Sequence, residues 1–154
     1  MAEGHSDPRR LFLESLIQAL RGAGDIVVYN QAFESLRLDD LAQWLPEYQS
    51  EIAEIKPKLW DLLAVSRRNL YHPALGGSFS LKKVVAALLP EMSYQGLEVA
   101  GGSEAGLAWA RLCEPSTSES EKSRLRRVLL EYCARDTLTL AKLTTSLKEW
   151  PPSW

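Results

Sequence analysis

Cysteine, histidine and methionine are scarce in this 154-residue chain, with two of each. Cys113 and Cys133 have neither the short spacing of a zinc site nor the number needed for a disulfide framework. They read as free thiols in a reducing compartment. His72 stands in a Pro/Gly loop with no ligand spacing to His5, so it reads as structural. A basic excess is missing too. The net charge of −2 and pI of about 5.7 argue against a long, non-specific nucleic-acid grip, though not against a local basic patch. Apolar runs fall far short of a membrane span, and no signal-peptide core follows Met1. The expected location is therefore the cytoplasm, with no membrane partner. No internal repeat and no interdomain linker is visible. At 45% hydrophobic and 25% charged residues, the chain has the ordinary balance of one globular domain with a real core.

What is present begins with helix signals. Ser6, Asp7 and Pro8 form a helix start, followed by Leu13, Leu16, Ile17 and Leu20 at helical spacing, and Gly22 and Gly24 end it. Residues 25–29 are a β-branched run that suits a strand buried on both faces of a parallel sheet. Asn30 then caps a helix bearing Phe33, Leu36, Leu41 and Leu45, which Pro46 closes. A further turn or two of helix is expected over 47–55. Residues 59–63 are a second strand candidate, although so short an apolar run equally suits a helix. Residues 71–77 read as a loop. Ser78 or Ser80 caps a helix with Leu81, Val84, Val85 and Leu88 inside, and Pro90 stops it. Residues 94–102 look irregular, 104–112 form a short helix, and 115–123 form a polar, mobile loop. The last helix, over 125–147, carries Leu125, Val128, Leu129, Tyr132, Leu140, Leu143 and Leu147 on one stripe. Helices around two short hydrophobic strands give an α/β class, predominantly helical, and leave the sheet short of strands.

One position on the last stripe is wrong for a core. Asp136 lies four residues after Tyr132 and four before Leu140, so it points inward with them. A carboxylate there needs a cation or a hydrogen-bond donor. Two other acids stand at informative places. Glu34 is in the first turn after the first strand, where sites form in open α/β sheets. Asp61 is within or at the end of the second strand.

These residues carry a resemblance. Asn30-Gln31-Ala32-Phe33-Glu34 resembles the second motif of the DEDD 3′–5′ exonucleases, and Tyr132-Cys133-Ala134-Arg135-Asp136 resembles the third motif in its tyrosine form. Trp60-Asp61-Leu62 and Ser80-Leu81-Lys82 are similar to the segments between. A closer likeness is to an uncharacterised bacterial family of RNase H-like nuclease domains associated with RecB-like proteins. That likeness rests on Asp7-Pro8-Arg9, Val28-Tyr29-Asn30 through Glu34, Asp61-Leu62-Leu63, Tyr71-His72-Pro73, the 77–84 segment and the 132–137 segment. It spans roughly residues 7–148. Residues 1–6 are then a disordered start and 149–154 a tail.

The resemblance implies an RNase H-like fold and hydrolysis of DNA or RNA with Mg²⁺ or Mn²⁺. Glu34 and Asp136 would be metal ligands and Tyr132 would orient the attacking water. Asn30 and Asp61 would support these or be purely structural, and Ser80 and Lys82 would contact substrate. Two-metal hydrolysis needs several hard oxygen ligands converging on ions roughly 4 Å apart. The family's opening Asp-x-Glu motif would lie upstream of the first helix, and this chain has none there. The expectation is a domain lacking its first strands, with half its metal cage missing and little activity alone. Departing further, the second-motif acid is Glu34 where the wider family has Asp. The alternative function is a non-catalytic nucleic-acid-binding or assembly module of a RecB-like DNA repair protein, partnered by a nuclease or helicase module.

Each residue also has a plain structural reading. Asp136 would be an N-cap at a kink, with Thr137 opening a new helix. Tyr132 would be a core aromatic. Glu34 would serve the helix dipole, and Asp61 would pair with Arg67 or Arg68. Lys82-Lys83, Arg67-Arg68 and Arg124-Arg126-Arg127 would be solvated faces, and Trp44, Trp60 and Trp109 core residues.

Overall fold

A computed structural model describes residues 7–94 and 96–149, so the expected disordered start at 1–6 and nearly all of the tail lie outside the described residues. The chain is predominantly helical, with a small two-stranded parallel sheet flanked by helices. It divides into two compact units, with the boundary in the chain between residues 71 and 72. No helix among the described residues is long and apolar enough to cross a membrane.

The first unit holds α1 (Arg9–Leu20), β1 (Ile26–Val28), α2 (Gln31–Trp44), α3 (Gln49–Ile55), β2 (Leu59–Asp61) and α4 (Leu62–Asn69). Asp7 supplies the capping oxygen of α1, accepting from the Arg9 N–H at 3.0 Å while its carboxylate pairs with the Arg9 side chain. Pro8 sits at the helix boundary. Leu13, Leu38, Leu41, Ile52, Ile55 and Leu59 form the core, with Leu16, Ile17 and Leu20 packed against it as their spacing requires.

The strands pair in parallel, with Ile26 opposite Leu59 and Val28 opposite Asp61. β1 is only half-buried, not enclosed on both faces as expected. A strand with a single neighbour leaves an edge and part of its faces uncovered. Phe33 and Leu36 are exposed at 54% and 56%. Leu41 is buried and Leu45 packs against the core as expected, but the first half of the inward row is Glu34 and Leu38, one residue on from Phe33 and two from Leu36. Trp44 and Trp60 are also more exposed than a core position allows. The Arg9 guanidinium covers the Trp44 ring at 4.2 Å.

The strand expected over 59–63 stops at Asp61. Its carboxylate accepts the Leu63 N–H at 3.0 Å and so opens α4, a helix that the apolar run concealed. Asp61 makes no ion pair with Arg67 or Arg68 among the described residues.

The second unit holds α5 (Leu81–Leu88), α6 (Gly102–Cys113) and α7 (Glu119–Glu149). Ser80, not Ser78, caps α5, its Oγ accepting the Lys83 N–H at 3.4 Å, and Val84 and Val85 are fully buried. The polar tract at 115–123 is not a loop throughout, since α7 begins at Glu119. Ser118 Oγ accepts the Glu121 N–H at 3.3 Å, and buried Thr117 donates to the Arg111 carbonyl at 2.7 Å. Ser118 and Glu121 have the spacing of a capping box, which the serine-rich composition masked. Leu112, Leu125 and Leu129 join α6 to α7, with Trp109 packed against them. The helix then runs unbroken through Thr137, so Asp136 is not an N-cap.

Candidate functional site

In the first unit the parallel ladder delivers Tyr29 and Asn30 beside Asp61. Asn30 occupies the N-cap position of α2, but in the left-handed region (φ 80°) and without a side-chain capping bond. The expected cap is therefore right in place and different in mechanism. The Asn30 backbone N–H donates to Asp61 Oδ1 at 3.0 Å, so one carboxylate binds the exit of β1 and the start of α4 together. Asp61 thus spends one carboxylate oxygen on two backbone donors, one of them that of Asn30. Asparagine tolerates the left-handed conformation better than most residues. Tyr29 is pushed up to about 12, chiefly by burial.

Glu34 has no hydrogen bond or ion pair among the described residues. It lines a cavity of about 170 Å³ whose other walls include Leu16, Ile26, Val28, Leu38 and Leu59. Burial raises its carboxyl above the ordinary glutamate value. The folded unit thus retains a proton through an interval in which the unfolded chain releases it. Stability falls as pH rises through that interval. Glu34→Leu should remove this dependence and stabilise the unit at pH 7 by about 1 kcal/mol, a usual yield for filling an apolar gap. Thermal melts at pH 5 and 7 check it. A lower melting temperature for the variant at pH 7 would show that the carboxylate has a stabilising partner and is not stranded in an apolar cavity.

In the second unit the inward acid of α7 is met by a donor that periodicity does not reveal. Tyr94, 7% exposed, donates its hydroxyl to Asp136 Oδ1 at 2.6 Å across 42 residues of sequence. Tyr132 stands one turn before Asp136, with its ring 6.3 Å from that of Tyr94 and tilted by 53°. Its phenol is pushed up to about 12, first by burial and then by the Asp136 charge. The Tyr94 phenol is raised as well, by burial first and by Asp136 second. Thr139 is fully buried, and its Oγ1 has no hydrogen-bond partner within bonding geometry among the described residues. Tyr94 was not expected because it lies in an irregular segment, where no repeat marks which residues turn inward.

Ser80 spends its hydroxyl on the α5 cap. Lys82, in the first turn of α5, holds its ammonium 5.7 Å over the Tyr94 ring. The structure therefore gathers Lys82, Tyr94, Tyr132 and Asp136 in one unit and Asn30 and Asp61 in the other, where Glu34 also lies. Among the described residues no group of three or more His, Cys, Asp or Glu side chains is arranged to hold a metal ion. The carboxylates are hard oxygen donors of the right kind for Mg²⁺ or Mn²⁺, but too few to cage one by themselves. Both cysteines are free.

The chain is similar to the uncharacterized protein UU173 of Ureaplasma parvum serovar 3 (strain ATCC 700970), 26% identical over 102 residues. That alignment covers 60% of this chain and 15% of the relative, so the chain spans a small part of the protein it matches. No solved structure matches it significantly. Residues 1–80 match the family model described as Domain of unknown function (DUF2779), and with half its length so matched the chain belongs to that family.

Proposed function

We propose that this chain contributes part of a divalent-metal-dependent 3′–5′ exonuclease domain of RNase H-like fold, acting on DNA or RNA. The observation that carries the reading is the Asp136 cluster: an inward carboxylate one turn from a tyrosine, on a continuous helix, held in place by a second tyrosine. In this reading Glu34 and Asp136 are metal ligands and Tyr132 orients water. The remaining ligands, an Asp-x-Glu pair, are not in this sequence. The chain alone is then inactive or nearly so, because two carboxylates supply too little charge and too few ligands for two ions.

A second reading is a non-catalytic nucleic-acid-binding or assembly module of a RecB-like repair protein. It is favoured by the lack, among the described residues, of any cluster of three metal-binding side chains.

Mn²⁺ separates the two. The exonuclease reading expects weak paramagnetic broadening of NMR signals around Glu34 and Asp136, lost in Glu34→Gln and Asp136→Asn respectively. It also expects no appreciable turnover of single-stranded oligonucleotides by the isolated chain. Absence of broadening would leave the module reading. Robust turnover abolished by Asp136→Ala would instead overturn the claim that the metal cage is incomplete.

A further inference from the structure

A cleft of about 380 Å³ in the second unit is lined by Lys82, Ala86, Ser93, Tyr94, Leu97 and Ala100. Its size falls at the lower end of small-molecule sites, about 300–1,000 Å³. Its floor is apolar and its one charged wall is Lys82. That lysine forms no ion pair with any carboxylate among the described residues. The acids around the cleft are already committed: Glu98 to Arg124, Glu104 to the Ala100 N–H at 2.7 Å, and Asp136 to Tyr94. The ammonium is also positioned. It lies over the Tyr94 ring and against Gly101, where a Cβ would come within 2.8 Å of Nζ.

We propose that this cleft is a nucleotide-binding subsite for single-stranded nucleic acid, with Lys82 paired to a phosphate and the sugar and base against Leu97, Ala86 and Ala100. A point-like ammonium suits a phosphate, and an apolar floor suits the body of a nucleotide. Tyr94 joins the subsite to the candidate catalytic acid, because its ring forms a cleft wall while its hydroxyl holds Asp136. The inference rests on the exonuclease reading for its substrate class, and it deepens that reading by naming where the strand is held.

The test is fluorescence anisotropy of a short labelled oligo(dT) with the full chain in EDTA, so that metal plays no part. Lys82→Gln should weaken binding about five- to tenfold and reduce the salt slope by about 0.7, the loss of one single-strand phosphate contact. Lys83→Gln, on the same helical turn but outside the cleft, should change affinity less than about twofold. Thymidine 5′-monophosphate should compete, and inorganic phosphate should compete less well. Equal losses in Lys82→Gln and Lys83→Gln, or equal competition by both anions, would reduce the effect to surface charge and overturn the subsite. No detectable binding by the unsubstituted chain would also overturn it. Neither outcome bears on Mn²⁺ broadening at Asp136, so this inference and the exonuclease reading fail separately.

Discussion

Asp61→Ala should destabilise the first unit by about 2–3 kcal/mol, with Asp61→Asn losing far less. Two separate bonds end on one oxygen of this side chain, from the Asn30 and Leu63 N–H groups at 3.0 Å each. Loss of a helix cap costs about 0.5–2 kcal/mol. Loss of a charge-assisted bond to a second backbone donor adds about 1 kcal/mol, tempered because Asp61 is only half-buried. The effect is concentrated because the donors belong to the ends of two different segments, the exit of β1 and the entry to α4. Asparagine keeps an acceptor oxygen in the same place. Urea unfolding of the two variants measures the difference. Similar midpoints for Asp61→Ala and the parent would show that solvent replaces both bonds, and that the ladder is held by Ile26 and Leu59 alone.

Tyr94→Phe should cost the second unit about 1.5–3 kcal/mol at neutral pH, the worth of a hydrogen bond to a charged group. The variant leaves a half-buried carboxylate without its 2.6 Å donor. A double-mutant cycle with Asp136→Asn isolates the pair, and a coupling below about 0.5 kcal/mol would dismiss it. The pH dependence has a definite sign. Burial and the neighbouring carboxylate hold the Tyr94 phenol above its usual value. The folded unit therefore keeps a proton that the unfolded chain releases above pH ~10. Stability is complete below that pH and declines as the solution becomes more alkaline. The phenylalanine variant lacks this loss at position 94, so its deficit should narrow at high pH. If the deficit instead widened, the assigned direction would be wrong.

Local patterns in the sequence were sufficient wherever one helix faced one core. Leu13 with Leu16, Ile17 and Leu20 placed α1, and Val84 with Val85 placed α5, because the period of apolar residues matches the period of the helix. The β1 strand and its parallel partner were legible from a continuous β-branched run, although the burial on both faces that the run suggested is absent. The pattern failed at Phe33 and Leu36, where an acid occupies the inward row and two apolar residues face out. A period count treats glutamate as outward by default, so it misplaced the first half of α2 while Leu41 and Leu45 were placed correctly. It failed again at Asp61, where strand and helix abut with no residue between and the apolar run is continuous across them. At the candidate site, Tyr132 and Asp136 were found from spacing within one helix. Tyr94 was not, because its place is fixed by a bond across 42 residues and not by anything in its own neighbourhood. Trp109 packs on the α6–α7 core as expected, whereas Trp44 and Trp60 do not reach one. Trp44 finds a guanidinium instead of a core, and stacking on a cation needs only one covered face.

The length of α7 bears on how firmly the Asp136 cluster is held. Its 31 residues make a rod about 46 Å long. One end is clamped to α6 by Leu125 and Leu129, and further along Leu143 is fully enclosed. Asp136 sits between these two anchorages, remote from either fraying tip. Its carboxylate is carried on a strut braced on both sides, so its position follows the helix axis and does not depend on the order of a connecting segment. A push on the α6 end would move Asp136 and Tyr132 together, as marks on one ruler, while Tyr94 stayed with its own segment. The tyrosine–aspartate bond is thus the joint at which such a displacement would first register.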